Sequence, residues 1–267
     1  FKVERKFNNI WTYGQYRKNL PTILLNSHID TVRPGREWSN DPFIPNKLKG
    51  KITGLGSNDA GASVVSLMAV FILLREENLP FNLIYSATAE EEISGKNGVE
   101  SILGDIGRID LGIVGEPTGM DLAIAEKGLM GLDCMAKEKR SHAAMNSGMN
   151  AIYLAIEDIE RIKKFNFPEK SNLLGEDKMQ VTIVSGGEVH NIVPESCSFV
   201  VDVRTNDCYT NREIFDILRE NLKSDIKSRS FRLNSKSISA DHPVVRKARE
   251  LGIKCYGSGT LSDQALM

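Results

Sequence analysis

Cysteine is scarce in this chain. Only four of its 267 residues are cysteine, at Cys134, Cys197, Cys208 and Cys255, and none forms the close pair that a thiolate metal site or a redox motif requires. They read as reduced thiols, which fits a cytoplasmic protein. Long apolar runs are missing too. The longest, residues 64–74, falls far short of the roughly 20 residues of a membrane helix, so no membrane partner is expected. Nor does one sign of charge dominate: 34 Lys and Arg stand against 35 Asp and Glu, a formal charge of −1. That balance, without long runs of one sign, argues against nucleic acid or an anionic lipid surface and leaves a small molecule as the expected partner. No signal-peptide pattern opens at residue 1. The chain begins inside a polar, strand-like stretch (Phe1-Lys2-Val3-Glu4-Arg5) and stops at Asp263-Gln264-Ala265-Leu266-Met267 without a closing helix, so it is expected to be part of a longer protein.

What the chain does have is apolar material, 41% of its residues, enough for one large domain or two ordinary ones. Short apolar runs at 22–26, 82–87 and 111–114 read as buried, mostly parallel strands, and a long apolar stretch at 60–77 reads as a helix buried against them. Residues 32–55, rich in Pro, Gly and Asn, read as a surface excursion. After Glu116-Pro117-Thr118-Gly119 the rhythm changes. Strands at 129–136, 179–184, 195–204 and 231–235 alternate with helices at 150–164 and 211–225, a β-α-β-β-α-β order of the ferredoxin-like kind. From Asp241 a helix and a strand resume the first rhythm. The expected fold class is α/β: a mixed, mostly parallel sheet with helices on both faces, interrupted by a ferredoxin-like α+β domain. The expected boundaries are 1–126, 127–237 and 238–267.

Three of the apolar strands run into potential metal ligands just beyond their last apolar residue. The first leads to Ser27-His28-Ile29-Asp30, the second to Ala89-Glu90-Glu91-Glu92 and the third to Gly115-Glu116-Pro117. In open α/β sheets the crevice beyond the carboxyl ends of the strands is where ligands bind. Asp59, just before the helix, either caps it or faces the same crevice. Strand alternation sets Asp30 on the same side as His28, where a carboxylate would fix the tautomer of a ligating imidazole. Three adjacent carboxylates after a buried strand repel one another unless a cation or a proton relieves them. One imidazole with carboxylates and no thiolate suits zinc, and less well cobalt or manganese. Two divalent ions would be balanced by Asp59, Glu92, Glu116 and one hydroxide, so the charge count favours two ions over one. A pair of ions roughly 3.5 to 4 Å apart would activate a water, with a spare carboxylate as its base.

The stretches S-H-I-D-T, G-L-G-S-N-D-A-G, A-E-E-E, G-E-P-T, S-H-A-A, H-N-I-V-P and V-D-V-R occur in this order along nearly the whole chain. Together they resemble the di-zinc hydrolases that include acetylornithine deacetylase, succinyl-diaminopimelate desuccinylase, aminoacylase and related carboxypeptidases and dipeptidases. The resemblance implies a catalytic α/β domain beside a ferredoxin-like lid that often forms a homodimer. By motif, His28 corresponds to a terminal ligand of the first zinc, Asp59 to the bridging carboxylate, Glu116 to the remaining ligand of the first site and Glu92 to a ligand of the second. Glu91 corresponds to the general base and Asp30 to the partner of His28. His142 resembles the lid histidine that reaches the neighbouring subunit's active site in dimeric members. Asn191 and Arg204 resemble substrate-contacting residues, although Arg204 could equally form a surface salt bridge on the lid. His190 reads as a loop residue and His242 as a helix-start residue.

Two departures stand out. Gly61 occupies a position where relatives often carry Lys, and Ser141 one where Gly usually precedes the lid histidine. The family's second metal also takes a histidine from a late segment, and no residue after Asp241 matches it, so the second site is expected to be incomplete in this chain. The implied activity is hydrolysis of the amide of an N-acyl-L-amino acid. The G-S-N-D-A-G-A-S and G-E-P-T-G-M contexts look most like an acetylornithine deacetylase of arginine biosynthesis, acting on N-acetylornithine or N-succinylornithine. A succinyl-diaminopimelate desuccinylase or a dipeptidase is the alternative within the family. The alternative outside it is a binding protein on the same fold without turnover, against which the intact Glu91 and Glu92 argue.

Overall fold

The computed structural model describes residues 2–138, 141–142 (backbone only) and 150–267. They form two compact units, Phe1–Met120 with Ser262–Met267, and Asp121–Leu261.

The elements of the first unit are β1 (Val3–Lys6), β2 (Asn9–Tyr13), β3 (Thr22–His28), the small hairpin β4 (Asn46–Leu48) and β5 (Lys51–Thr53), α1 (Gly61–Leu74), β6 (Asn82–Thr88), α2 (Glu100–Ile106) and β7 (Leu111–Val114). Its five-stranded sheet has the order β1-β2-β6-β3-β7. Strand β3 runs parallel to β6 and β7, whereas β2 runs antiparallel to β1 and β6. Successive side chains of a strand point to opposite faces, and β3 uses both. Leu24 packs with Trp11, Ile84, Ile102 and Ile106, while Leu25 packs with Phe71, Leu83 and Tyr85. Helix α2 thus covers one face and α1 the other, which is why β3 and β6 read as nearly continuous apolar runs. The hairpin β1–β2 makes the sheet more mixed than expected, because the polar face of β1 hides its pairing.

Helix α1 also departs from expectation. It lies where the apolar stretch placed it, but of its residues only Phe71 is buried, and Val65, Val70, Ile72 and Leu73 are exposed. One sheet face covers only one stripe of a helix, here Leu67, Phe71 and Leu74. An apolar run says that a helix can be covered all round, not that it is.

The second unit contains β8 (Leu122–Glu126), β9 (Gly128–Lys137), β10 (Ser141–His142), α3 (Ala151–Lys164), β11 (Lys178–Gly186), β12 (Ile192–Val193), β13 (Ser196–Thr205), α4 (Asn211–Asn221), β14 (Asp225–Ser228), β15 (Lys236–Ser237), α5 (Pro243–Glu250) and β16 (Cys255–Ser258). Strands β11-β13-β9-β14 form an antiparallel sheet in that order. With α3 and α4 this is the ferredoxin-like arrangement. Strands β9 and β13 alternate buried and partly exposed residues, and Leu132, Phe199, Val201 and Val203 meet Ala155, Ile162, Ile214 and Leu218 of the helices. Thr210 and Glu213 form a reciprocal capping box at the start of α4.

The last strand of this sheet is β14, not residues 231–235. The helix before it ends at Asn221 rather than at 225, because Leu222 adopts an extended conformation. Phe231, whose apolar character suggested a strand, instead packs edge-on against Phe215 with ring centres 5.2 Å apart. A separate three-stranded sheet has β8 at its centre, parallel to β16 and antiparallel to β15. His242 caps α5, its Nδ1 accepting from Val244 N–H at 3.3 Å.

Candidate metal centre

The sequence brings a histidine and four carboxylates to one end of the first unit's sheet. His28 is the last residue of β3 and pairs across the sheet with Thr88, the last residue of β6. The residues after Thr88 carry the three glutamates, and Glu116 follows β7 by two positions. The imidazole of His28 is 1% exposed. Its Nε2 lies 3.0 Å from Asp59 Oδ1, 3.8 Å from Glu116 Oε2 and 4.0 Å from Glu91 Oε2. Its Nδ1–H is 3.0 Å from the carbonyl oxygen of Asp30 and 3.6 Å from that residue's carboxylate. The backbone carbonyl is therefore the nearer orienting acceptor, and it leaves Nε2 facing the acids.

His28, Asp59 and Glu116 each offer one ligand atom, and these atoms all lie within 4.8 Å of one another. Glu116 Oε1 is buried with no hydrogen-bond partner among the described residues. A buried carboxylate oxygen left unpaired costs more than a weak contact returns, and a cation bound here would satisfy it. One imidazole and two carboxylate oxygens are a donor set suited to a divalent ion of the zinc type. The residues fit a metal.

The three glutamates after β6 divide their roles by geometry. Glu90 sits at φ 61°, a left-handed conformation that costs a non-glycine residue about 1–2 kcal/mol. The turn offsets it, since the Glu90 carboxylate accepts from Asn97 N–H (3.0 Å) and Asn97 Nδ2 (3.1 Å) and its carbonyl from Gly95 N–H (2.8 Å). Glu90 is thus committed to the backbone. Asn9, fully buried, holds the same turn from below by accepting from Ala89 N–H at 2.9 Å. Glu91 and Glu92 are left with carboxylates to spare, although Glu92 Oε1 accepts from Val32 N–H at 3.2 Å.

Asp30 links the histidine to this turn. Its two carboxylate oxygens accept the N–H groups of Glu91 and Glu92, each at 3.2 Å. Burial works against its ionisation, but His28 and the two backbone N–H groups outweigh that and hold its carboxyl below the ordinary range. Burial also pulls against protonation of His28. The contacts with Asp30 and Glu116 and the charges of Glu116 and Glu91 overcome it, pushing the imidazole up to about 11. Glu91 is pushed up to about 8 by burial and by the charge of Glu116, with His28 opposing. Burial and the charge of Asp59 raise Glu92. Without a cation, the cluster is held together by protons.

Replacing Asp30 with Asn puts an NH₂ group against one of the two backbone N–H groups it now accepts. The backbone carbonyl that orients His28 stays, but the turn that carries Glu91 and Glu92 loses an anchor, and the expected result is a loss of about 10–100-fold in metal affinity, the scale on which groups behind the ligands act. Titration of the purified variant with zinc against a competing chelator checks this, and an unchanged affinity would remove Asp30 from that role.

The other residues singled out by sequence fall in the second unit. The backbone of His142 pairs with Ile192, and its side chain lies outside the described residues. Asn191 is exposed in the turn before β12. Arg204 donates from Nε and Nη2 to Asp202 at 2.8 and 3.1 Å, so it forms a surface salt bridge. A residue that sequence reasoning missed is Asp263, which is 3% exposed and bonded to Asn26 and Thr88. No local pattern flags it: a single acid near the end of the sequence carries no spacing signal, and only the fold brings it to β3.

Residues 124–229 match the peptidase dimerisation domain family. A succinyl-diaminopimelate desuccinylase of Orientia tsutsugamushi is 26% identical over 288 residues, covering 98% of this chain and 74% of its own length. Two solved structures have the same fold. A tripeptidase from Staphylococcus aureus superposes with a TM-score of 0.72 at 21% identity, over 97% of this chain and 72% of its own. A dinuclear metal-binding peptidase of the M20 family from Bacillus subtilis gives 0.66 at 18%, over 97% and 71%. No helix among the described residues is long and apolar enough to cross a membrane. The dimerisation domain, a relative aligned along almost all of the chain, the shared fold and a metal-ready cluster at the sheet's end make this chain similar to the metal-dependent amide hydrolases of the M20 peptidase family.

Proposed function

We propose that this chain removes the acyl group from an N-acyl amino acid, with an N-succinyl amino acid of the succinyl-diaminopimelate type as first substrate. The observation that carries the reading is a spare, half-buried carboxylate, Glu91, beside the cluster of His28, Asp59 and Glu116. A pure binding site has no need of a spare carboxylate beside its ligands. Support for the succinyl substrate comes from the desuccinylase relative, aligned over 98% of this chain. That moves the weight from acetylornithine, which the motifs around Asp59 and Glu116 had favoured, and from arginine to lysine biosynthesis.

His28, Asp59 and Glu116 would hold one divalent cation, and Glu92, with Asp59 shared, would contribute to a second; zinc suits the donors best, with cobalt or manganese as substitutes. When bound, such ions supply Lewis-acid polarisation of the acyl carbonyl and a more acidic water. Glu91 takes the proton of the attacking water and delivers it to the amine nitrogen as the C–N bond breaks, so acid and amine leave with the proton balance closed. Asp30 keeps His28 in the orientation that presents Nε2 and fixes the turn that carries Glu91. In this reading His142 donates a hydrogen bond to the scissile carbonyl from a partner subunit, and Asn191 and Arg204 bind the substrate's carboxylate. Arg204 would exchange Asp202 for that carboxylate. The domain division that goes with it is 1–126, 127–237 and 238–267, and the protein acts as a cytoplasmic homodimer through the dimerisation domain.

The test is hydrolysis by the zinc- or cobalt-loaded full chain of succinyl-diaminopimelate, acetylornithine, succinylornithine and short peptides. The expected order places the succinyl-diaminopimelate first in kcat/KM. Faster acetylornithine turnover would reverse the substrate assignment, and no turnover of any of them would end the hydrolase reading.

A further inference from the structure

Asp263 comes 237 positions after Asn26, yet its Oδ2 accepts from Asn26 Nδ2 at 2.8 Å and from the Thr88 hydroxyl at 2.9 Å. Asn26 Oδ1 in turn accepts from the Ser86 hydroxyl at 2.6 Å, and Thr88 Oγ1 stands 3.2 Å from the same oxygen. All four side chains are buried. In the parallel register Asn26 faces Ser86 and His28 faces Thr88. Residues two apart share a face of a strand, so the network lies on the face of β3 and β6 to which His28 belongs. Thr88 also accepts Ile29 N–H through its carbonyl at 2.7 Å, and the glutamate turn begins immediately after it.

A buried carboxylate bonded to neutral donors is costly unless it fixes something. Here it fixes the Asn26 amide. A carboxylate can only accept, so Asn26 must turn its NH₂ to Asp263 and its oxygen to Ser86. The two strand ends that deliver His28 and Glu91 are thereby pinned to each other and to the 3-10 turn Asp263–Leu266, which Ser262 caps by accepting from Gln264 N–H at 3.3 Å.

We propose that Asp263 is a positioning residue for the metal centre, holding the ends of β3 and β6 in register so that His28 and the Glu91 turn keep their spacing. The proposal rests on the hydrolase reading above only for its kinetic consequence.

The test compares Asp263→Ala, Asp263→Asn and Thr88→Val in the full chain. Hydrogen exchange is followed at the Glu91 and Glu92 amides without metal, zinc affinity by competition with a chelator, and kcat and KM wherever the unaltered chain turns over substrate. Asp263→Ala is expected to accelerate exchange at both amides, to weaken zinc binding by about tenfold, and to lower kcat by about tenfold with KM little changed, the scale at which orienting groups act. Asp263→Asn keeps an oxygen to accept from both donors and is expected to recover most of the loss in all three readouts. Unchanged exchange and zinc affinity in a folded Asp263→Ala chain would overturn the proposal. So would an Asp263→Asn chain as impaired as Asp263→Ala, because the charge and not the bonds would then matter. If Asp263→Ala does not fold, Thr88→Val decides: faster exchange and weaker zinc binding support the role, and unaltered values of both overturn it. A chain that hydrolyses nothing refutes the hydrolase reading, while exchange and zinc affinity still judge Asp263.

Discussion

Replacing Glu91 with Gln is expected to lower kcat by about 10²–10⁴-fold, the contribution of a well-placed general base, while zinc affinity and KM stay within about threefold. Gln keeps the shape of Glu but loses its charge and its ability to take a proton. Its position and surroundings are why we propose Glu91 for this role. Its carboxylate is 13% exposed and 4.0 Å from His28 Nε2, close to the ligands yet outside the cluster of His28, Asp59 and Glu116. Burial and the nearby charge of Glu116, opposed by His28, push its pKa up to about 8 in the metal-free site. A bound cation nearby would favour the ionised carboxylate, the form that takes a proton from water and passes it to the amine. The parallel variant Glu92→Gln should do the opposite, weakening metal binding and leaving kcat at saturating metal much less affected. Steady-state kinetics and zinc titration of the two variants separate the roles. A Glu91→Gln chain with the original kcat, or one that no longer binds metal, would show that the two glutamates had been exchanged.

The placement of these side chains was largely legible in the sequence, because residues that follow buried strands inherit their position from the sheet. His28, Glu91, Glu92 and Glu116 each sit within four residues of a strand end that apolar runs reveal. Once β3, β6 and β7 lie side by side, these side chains share one edge. Asp59 is different. It is placed by the loop before α1, and the choice between helix cap and ligand could not be made from spacing; in the fold its Oδ1 is 3.0 Å from His28, and the N-cap position of α1 is Ala60. The carbonyl of Asp30, and not only its carboxylate, as the orienting acceptor for His28 was equally hidden, since backbone groups carry no sequence signature. The elements that went unread have polar or short sequences. Strand β1 (V-E-R-K) offers no apolar alternation and is held by its hairpin partner. Strand β8 was hidden by the adjoining β9, because only Lys127 separates two strands that belong to different sheets. Asp263 was invisible because its partners lie at the other end of the chain.

The protonated state of the metal-free site sets the second large expectation: zinc affinity should rise steeply with pH, by about tenfold per pH unit for each proton that binding displaces. His28 holds its proton up to about 11 and Glu91 to about 8 when no cation is present. A ligating imidazole must be neutral, so a cation competes directly with the His28 proton. Between about pH 6 and pH 8 the loss of one proton alone changes affinity by about 100-fold. The stability of the metal-free chain runs the other way. Both groups have folded pKa values above their ordinary ones, so the folded state binds more protons than the unfolded one. The stability they contribute is fully present below the ordinary values, near 4.5 for Glu91 and 6.5 for His28, and is lost as pH rises through about 8 and about 11. Chelator-treated protein should therefore melt at progressively lower temperature from mildly acidic to alkaline pH. Zinc-loaded protein should gain most from the metal at the alkaline end, where the cation replaces the protons that relieve Glu116, Asp59 and Glu91. Calorimetric titration with zinc in two buffers of different ionisation enthalpy counts the protons released, and melting curves with and without chelator give the two pH slopes. A zinc affinity that is flat between about pH 6 and pH 8, with no proton released, would mean that the cluster does not bind the metal through His28.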